Sequence, residues 1–107
     1  MRTKVVTVVG STKFEKETRE VIALLERLSY AVFSVGSFMH AEGLKFDDET
    51  KERLDRLHQE KIRGSDRIFV VNVGGYIGES TRAEIALARS LNIEVDYLEP
   101  WSIEDGE

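Results

Sequence analysis

Four short apolar runs, separated by segments long enough to form helices, constrain the fold of this chain more than any other feature. Each run is rich in β-branched or aromatic residues and ends close to a glycine or a polar turn, as buried strands do. The pattern predicts strands at Val5 to Val9, Tyr30 to Val35, Arg67 to Val73 and Ile93 to Leu98.

The three connecting segments have the pattern of helices. Glu15 to Leu28 carries apolar residues at helical spacing, and Asp47 to Arg63 is polar with acidic residues suited to a helix start. Ser80 to Leu91 is rich in alanine and leucine, so we expect it to be buried on most sides. Strands joined through helices must run parallel, with right-handed crossovers.

The predicted fold class is therefore α/β: a three-layer, flavodoxin- or Rossmann-like open parallel sheet of four to five strands, with helices on both faces. The 107 residues, of which 41% are hydrophobic, are expected to form one domain, residues 1–107. Sheets of this kind bind ligands outside the carboxyl ends of their strands. Residues 10–14, 36–46 and 72–84 are expected to line that crevice.

Composition excludes several classes of function. The chain has no cysteine, and we expect neither a secretory signal nor a membrane span, which predicts a cytoplasmic protein. Its formal net charge is -5 and it lacks a basic stripe, so we expect no nucleic-acid polymer and no membrane as partner. A small phosphorylated molecule remains compatible, because backbone N–H groups can hold a phosphate.

The first candidate site follows the first strand directly. Gly10, Ser11 and Thr12 form a turn in which backbone N–H groups can approach a substrate. The alternative is structural: Thr12 to Glu15 also fits a capping box, in which the threonine hydroxyl and the glutamate carboxylate satisfy free N–H groups at the helix start.

The second candidate site is the glycine-rich turn 74–78 and the helix that follows it. Glu84 is predicted in the first turn of that helix, where the helix dipole favours an ionised carboxylate that can attack an electrophilic sugar carbon. Here too a capping box is an alternative, with Glu84 accepting a hydrogen bond from the Thr81 N–H.

Residues from several parts of the chain together carry a resemblance to a known family. They are the strand, glycine turn and Ser80-to-Glu84 spacing within 70–84, the Gly10-Ser11 turn, and Ile62 with Ser65-Asp66 before the third strand. In these features the chain resembles the nucleoside 2-deoxyribosyltransferase-like family over nearly its whole length, most closely its small phage and bacterial members.

The resemblance implies a function. Glu84 would be a nucleophile that attacks the anomeric carbon of a nucleoside or nucleoside 5'-monophosphate and expels the base, in retaining covalent catalysis without a cofactor. Gly10 and Ser11 would lie beside this small-molecule substrate. The family also implies a homodimer or higher homo-oligomer whose subunits complete each other's sites.

One position departs from the family pattern. Where the family has an aspartate on the second helix, this chain has His58, so the acid partner is open. Asp55 lies three residues earlier and is expected on the same helix face, so that either Asp55 or His58 would contact the sugar or protonate the leaving base. His58 also suits an ordinary surface position. Asp66 precedes its strand, and we expect it at the opposite edge of the sheet as a turn or cap residue.

Further binding residues are expected around the third strand and its turn: Asn72, Gly75, Gly78, Glu79 and Ser80. In the loop 36–46, side chains such as Phe38, Met39 and His40 have the apolar surface to stack on a base, although such residues are more often core. No set of residues has metal-ligand spacing, so no metal is expected.

Two alternatives to a deoxyribosyltransferase or nucleotide N-glycosidase remain open. The first is a non-catalytic nucleotide-binding module that kept the fold but lost its acid partner at His58. The second is a resemblance to cytokinin-activating phosphoribohydrolases, whose glycine turn and glutamate are similar to Gly74-Gly75 and Glu84 but more closely spaced.

Overall fold

A computed structural model of the chain describes residues 2–34 and 47–100. Strands and helices alternate through them, close to the predicted bounds. The strands are β1 (Val5–Gly10), β2 (Ala31–Ser34), β3 (Arg67–Val71) and β4 (Glu94–Tyr97), and the helices are α1 (Glu15–Arg27), α2 (Asp48–Arg63) and α3 (Glu79–Ser90).

The four strands form one sheet in which every pairing is parallel, in the order β2-β1-β3-β4. In the centre, Val6 of β1 pairs with Val32 of β2 on one side and with Arg67 of β3 on the other. The predicted α/β class with an open parallel sheet is confirmed. Since the chain leaves β1 toward β2 on one side and reaches β3 on the other, the ends of β1 and β3 mark the point where the winding reverses.

Two apolar cores lie on opposite faces of the sheet. On one face, Val21 and Leu25 of α1 pack with Val6 and Val8 of β1. On the other, Ile62 of α2 and Ile85 and Ala88 of α3 pack against the sheet with Val9, Ile68 and Val70. The molecule therefore has the predicted three layers, with α1 on one face and α2 and α3 side by side on the other.

Two burial predictions are wrong. The α3 helix buries one face only, which carries Thr81, Ile85 and Ala88, while the neighbouring Ala83 and Ala86 are exposed. Its other side borders α2 and solvent instead of further core. The β2 strand is partly exposed because it lies at the edge of the sheet, where the ring of Phe33 remains 46% accessible.

The predicted Thr12–Glu15 capping box is also absent. The Ser11 hydroxyl, not that of Thr12, accepts a hydrogen bond, from the Lys13 N–H at 3.3 Å. The carboxylate of Glu15 binds Arg19 on the next turn of α1. The reason is a short 3-10 turn over Thr12–Phe14, which places the start of α1 one turn later than the box requires.

The Ser65-Asp66 pair closes the opposite edge of the sheet, as predicted for Asp66. The Ser65 hydroxyl donates to the Lys61 carbonyl at the end of α2 and contacts the buried Thr7 hydroxyl. Asp66 accepts a hydrogen bond from the Val5 N–H at 2.7 Å and pairs with Arg2. The hydrogen bond from Arg2 first, and that from the Val5 N–H second, lower the pKa of Asp66 to about 2. Both residues are structural parts of the fold.

None of the helices in residues 2–34 and 47–100 is both long and apolar enough to cross a bilayer.

Candidate functional site

A cleft of about 280 Å³ lies between α2 and α3. One wall is formed by α2 and the other by α3, since the two helices lie side by side on the same face of the sheet. Its size is near the lower end of the range for small-molecule sites. The lining residues are Asp55, His58 and Gln59 from α2, and Ser80, Ala83, Glu84 and Leu87 from α3.

Glu84 is the most perturbed acid of the cleft. Its side chain is partly buried, and it makes no hydrogen bond or ion pair within the described part of the chain. Burial first, and the negative charge of Asp55 second, raise its pKa from 4.5 to about 7. Near neutral pH the carboxyl group is therefore present in both its ionised and its protonated form.

This result corrects two predictions about Glu84. Because α3 begins at Glu79, the first turn carries Glu79, and Glu84 lies in the second turn, beyond the reach of the dipole effect. The dipole does not keep Glu84 ionised. Nor does Glu84 form a capping box, because among the described residues no hydrogen bond joins its carboxylate to the Thr81 N–H.

Asp55 and His58 reach the cleft from α2 because they lie three residues apart, and this spacing places them on one face of the helix. His58 is partly buried. Burial and the positive charge of Lys61 lower its pKa, while Asp55 acts in the opposite direction. The lowered pKa favours the neutral imidazole, which can accept a proton or, in its N–H, donate a hydrogen bond.

The structure thus brings together four of the predicted site residues: Asp55, His58, Ser80 and Glu84. Sequence reasoning missed Gln59, Ala83 and Leu87. Ala83 and Leu87 lie on the same side of α3 as Glu84, one residue before it and three after it, and Gln59 follows His58 directly. A helical projection of the two helices would have identified them once their packing was known.

The remaining predicted binding residues lie outside this cleft, in the turns at the carboxyl edge of the sheet. Gly10 pairs with Val71 at the ends of β1 and β3. A Cβ atom at Gly10 would lie 2.9 Å from the Val71 carbonyl oxygen, so close strand packing requires glycine there. Ser11 and Thr12 follow, partly buried, in the short turn before α1.

The glycine-rich turn after β3 has a backbone that only glycine adopts readily. Gly74 and Gly75 have φ values of 64° and 81°, in the left-handed region. The Gly74 N–H donates to the Glu99 carboxylate at 2.7 Å, and the Gly75 N–H donates to the Asn72 carbonyl at 2.8 Å. Glu99, which sequence reasoning missed, thus holds this turn from the chain segment after β4.

The side chain of Asn72 is used within the fold. It is fully buried, its Nδ2 donates to the Glu99 carbonyl at 3.0 Å, and its Oδ1 accepts from the Glu99 N–H at 2.9 Å. Both ends of the amide therefore bind backbone. Gly78 directly precedes α3, and Glu79 is exposed in the first turn of that helix.

The loop residues Phe38, Met39 and His40, predicted as base-stacking or core residues, lie outside the described ranges. Within those ranges, no group of three or more histidine, aspartate or glutamate side chains is arranged to hold a metal ion. Asp55, His58 and Glu84 in the cleft are of the types that transfer protons, and a carboxylate can also act as a nucleophile.

Comparison of the sequence with protein-family models and with curated proteins produced no match.

Proposed function

We propose that the protein cleaves or transfers at the N-glycosidic bond of a nucleoside or nucleoside 5'-monophosphate, with Glu84 as nucleophile. The observation that carries the proposal is the environment of Glu84: a carboxylate without a described partner, in a cleft with Asp55 and His58, whose pKa is raised to about 7. Such perturbed acids cluster at functional sites. The resemblance to nucleoside 2-deoxyribosyltransferase-like proteins supplies the reaction class.

In the proposed reaction, an ionised Glu84 oxygen attacks the anomeric carbon of the sugar. The carbon–nitrogen bond breaks, its electron pair leaves with the base, and a glycosyl ester of Glu84 forms. Water or a second base then attacks the same carbon and releases the Glu84 carboxylate. The two displacements retain the configuration at the anomeric carbon.

The leaving base needs a proton, which comes from the protonated form of Asp55 or of His58, the other two ionisable groups that line the cleft. Their positions on α2, opposite the wall that carries Glu84, suit a donor that approaches the base while Glu84 approaches the sugar. Because the pKa of His58 is lowered, a smaller fraction of His58 is protonated at neutral pH, and both residues are therefore substituted in the experiment below.

The proposal is tested by incubating the protein with the common nucleosides and deoxynucleosides and their 5'-monophosphates, and measuring free base by chromatography. We expect base release by the wild type. Glu84→Gln is nearly isosteric but cannot supply an attacking carboxylate, so its rate should fall by several orders of magnitude. The proton donor is the residue whose substitution, Asp55→Asn or His58→Gln, causes the larger loss of rate on substrates with poor leaving groups.

A matched control is Glu26→Gln, which neutralises an exposed carboxylate of α1 on the far face of the sheet and should leave the rate unchanged. Equal rates for wild type and Glu84→Gln would rule out Glu84 as nucleophile. If ligands raise the melting temperature and no base is released from any of them, the protein is a nucleotide-binding module of this fold and not an enzyme.

A further inference from the structure

Three side chains join the turn after β1 to the turn after β3. The rings of Phe14 and Tyr76 meet edge to face, with centroids 5.9 Å apart and planes at 78°. The Lys13 ammonium lies 3.3 Å from the centroid of the Tyr76 ring and 5.6 Å from that of Phe14. Because β1 and β3 are neighbours at the reversal of the winding, this group, here called the Lys13 cluster, spans the crevice where sheets of this type bind ligands.

The Tyr76 ring is fixed in position but open to solvent. The backbone N–H of Tyr76 donates to the Val73 carbonyl at 3.2 Å. The Tyr76 hydroxyl packs closely on Gly78, so that a Cβ atom at Gly78 would lie 3.3 Å from the hydroxyl oxygen. Gly78 directly precedes α3, which carries Ser80 and Glu84. Tyr76 is nevertheless 47% exposed. A fixed, exposed aromatic face two residues before the N-cap of α3 is suited to stacking on a planar group.

Lys13 is exposed, and within the described part of the chain it forms no salt bridge, although acidic residues outnumber basic ones by 20 to 15. Its ammonium instead lies on the Tyr76 ring. A cation–π contact in an exposed position is weaker than a charge-assisted hydrogen bond to a phosphate. An anionic ligand in the crevice would therefore draw Lys13 away from the ring and uncover its face.

We infer that the Lys13 cluster is a binding subsite for a planar, phosphorylated ligand: the phosphate pairs with Lys13, and the base stacks on the Tyr76 face that Lys13 vacates. This inference rests on the proposed function and extends it, because it selects nucleoside 5'-monophosphates over free nucleosides. A free nucleoside has no group that draws Lys13 from the ring, so it must compete with the ammonium for Tyr76.

The test measures the affinity of the four deoxynucleoside 5'-monophosphates and of the matching nucleosides by titration calorimetry. Lys13→Gln should weaken monophosphate binding roughly tenfold, as expected for one lost charge-assisted bond, without weakening nucleoside binding. Tyr76→Leu should weaken both. The matched control is Lys16→Gln, which removes an exposed lysine that pairs with Glu20, four residues further along, and should change neither affinity.

NMR supplies an independent readout. In the free protein, the methylene protons next to the Lys13 ammonium are expected upfield because they lie over the Tyr76 ring, and monophosphate but not nucleoside should return them toward their usual positions. Resonances that stay upfield in the monophosphate complex, or a Lys13→Gln variant that loses both ligands equally, would overturn the inference and leave the proposed reaction standing. Selective loss of monophosphate binding in a protein that releases no base would support the subsite and overturn the reaction. If none of the ligands binds, both the inferred subsite and the proposed reaction are overturned.

Discussion

Asp55 and Glu84, on two different helices, line the same cleft closely enough that the charge of Asp55 adds to the effect of burial on Glu84. Together, burial first and Asp55 second, they raise the pKa of Glu84 to about 7. The charge of Asp55 thus opposes the ionisation of Glu84 across the cleft. The raised pKa of Glu84 contributes to the pH dependence of stability and of the proposed activity.

The first prediction concerns stability. The pKa of Glu84 rises from 4.5 to about 7 on folding, so the protonated form is favoured in the folded state. Its favourable contribution is complete below pH 4.5 and is lost as the pH rises through about 7, a change of at most about 3 kcal/mol. Glu84→Gln carries no charge to desolvate, so it should be more stable than the wild type at pH 8.5 and closer to it at pH 4.5. Urea unfolding of both proteins at the two pH values measures this difference, with Glu26→Gln as the control.

The second prediction concerns the pH dependence of catalysis. A nucleophilic Glu84 must be ionised, so kcat/KM should rise with pH through about 7. Asp55→Asn removes the charge that opposes this ionisation, which should lower the pKa of Glu84 and shift the rising limb to lower pH. Asp48→Asn, at an exposed position in the first turn of α2, should leave the limb in place. A rate that only falls with pH through the same range would contradict an ionised Glu84 as the nucleophile.

The third prediction compares two glycines. Gly10→Ala places a methyl group 2.9 Å from the Val71 carbonyl oxygen, between two central strands that cannot easily separate, and should destabilise the protein by roughly 1–3 kcal/mol. Gly64→Ala is the matched control, since its Cβ atom would find the nearest oxygen at 3.6 Å, an ordinary contact. Its effect should stay within about 1 kcal/mol. Equal losses of stability in thermal unfolding of the two variants would contradict the close approach of β1 and β3.

These results show which properties follow from local sequence and which do not. Strand and helix positions were predictable because each depends on the spacing of apolar residues within one segment, as in Val5 to Val9. The environment of Glu84 depends on two facts beyond local pattern: the start of α3 at Glu79, and the packing of α2 beside it, which brings Asp55 near. The prediction that the helix dipole keeps Glu84 ionised was wrong because it placed the start of α3 too late. It also could not include the charge of Asp55, which depends on the packing of the two helices.

Long-range polar contacts show the same limit. Asn72 had the pattern of a ligand-binding residue because it follows a buried strand, and nothing near it in the sequence indicates that its partner is Glu99, 27 positions later. Asp66, by contrast, was placed correctly, because its position before a strand determines which edge of the sheet it occupies.

The fourth prediction concerns assembly. The resemblance described above implies subunits that complete each other's sites, and Leu57, adjacent to cleft residue His58 on α2, is 55% exposed. We therefore expect a symmetric homodimer that covers the α2 side of the cleft. Light scattering should give twice the mass of one chain, and Leu57→Glu should halve it. Leu28→Glu changes a leucine at the end of α1 that is 60% exposed and should leave the mass unchanged. A wild-type monomer in the presence of ligand would contradict the prediction.

The two-way bond between Asn72 and Glu99 has a consequence for which side chains position 72 accepts. The backbone hydrogen bonds between β3 and the chain after β4 end with the Leu98 N–H and the Val70 carbonyl. One residue further along, the Asn72 side-chain amide, instead of the β3 backbone, binds the Glu99 N–H and carbonyl. Aspartate has the same shape, but it would turn an oxygen toward the Glu99 carbonyl, where Asn72 presents its Nδ2 hydrogen. Position 72 therefore distinguishes between two isosteric residues by the direction of a single hydrogen bond.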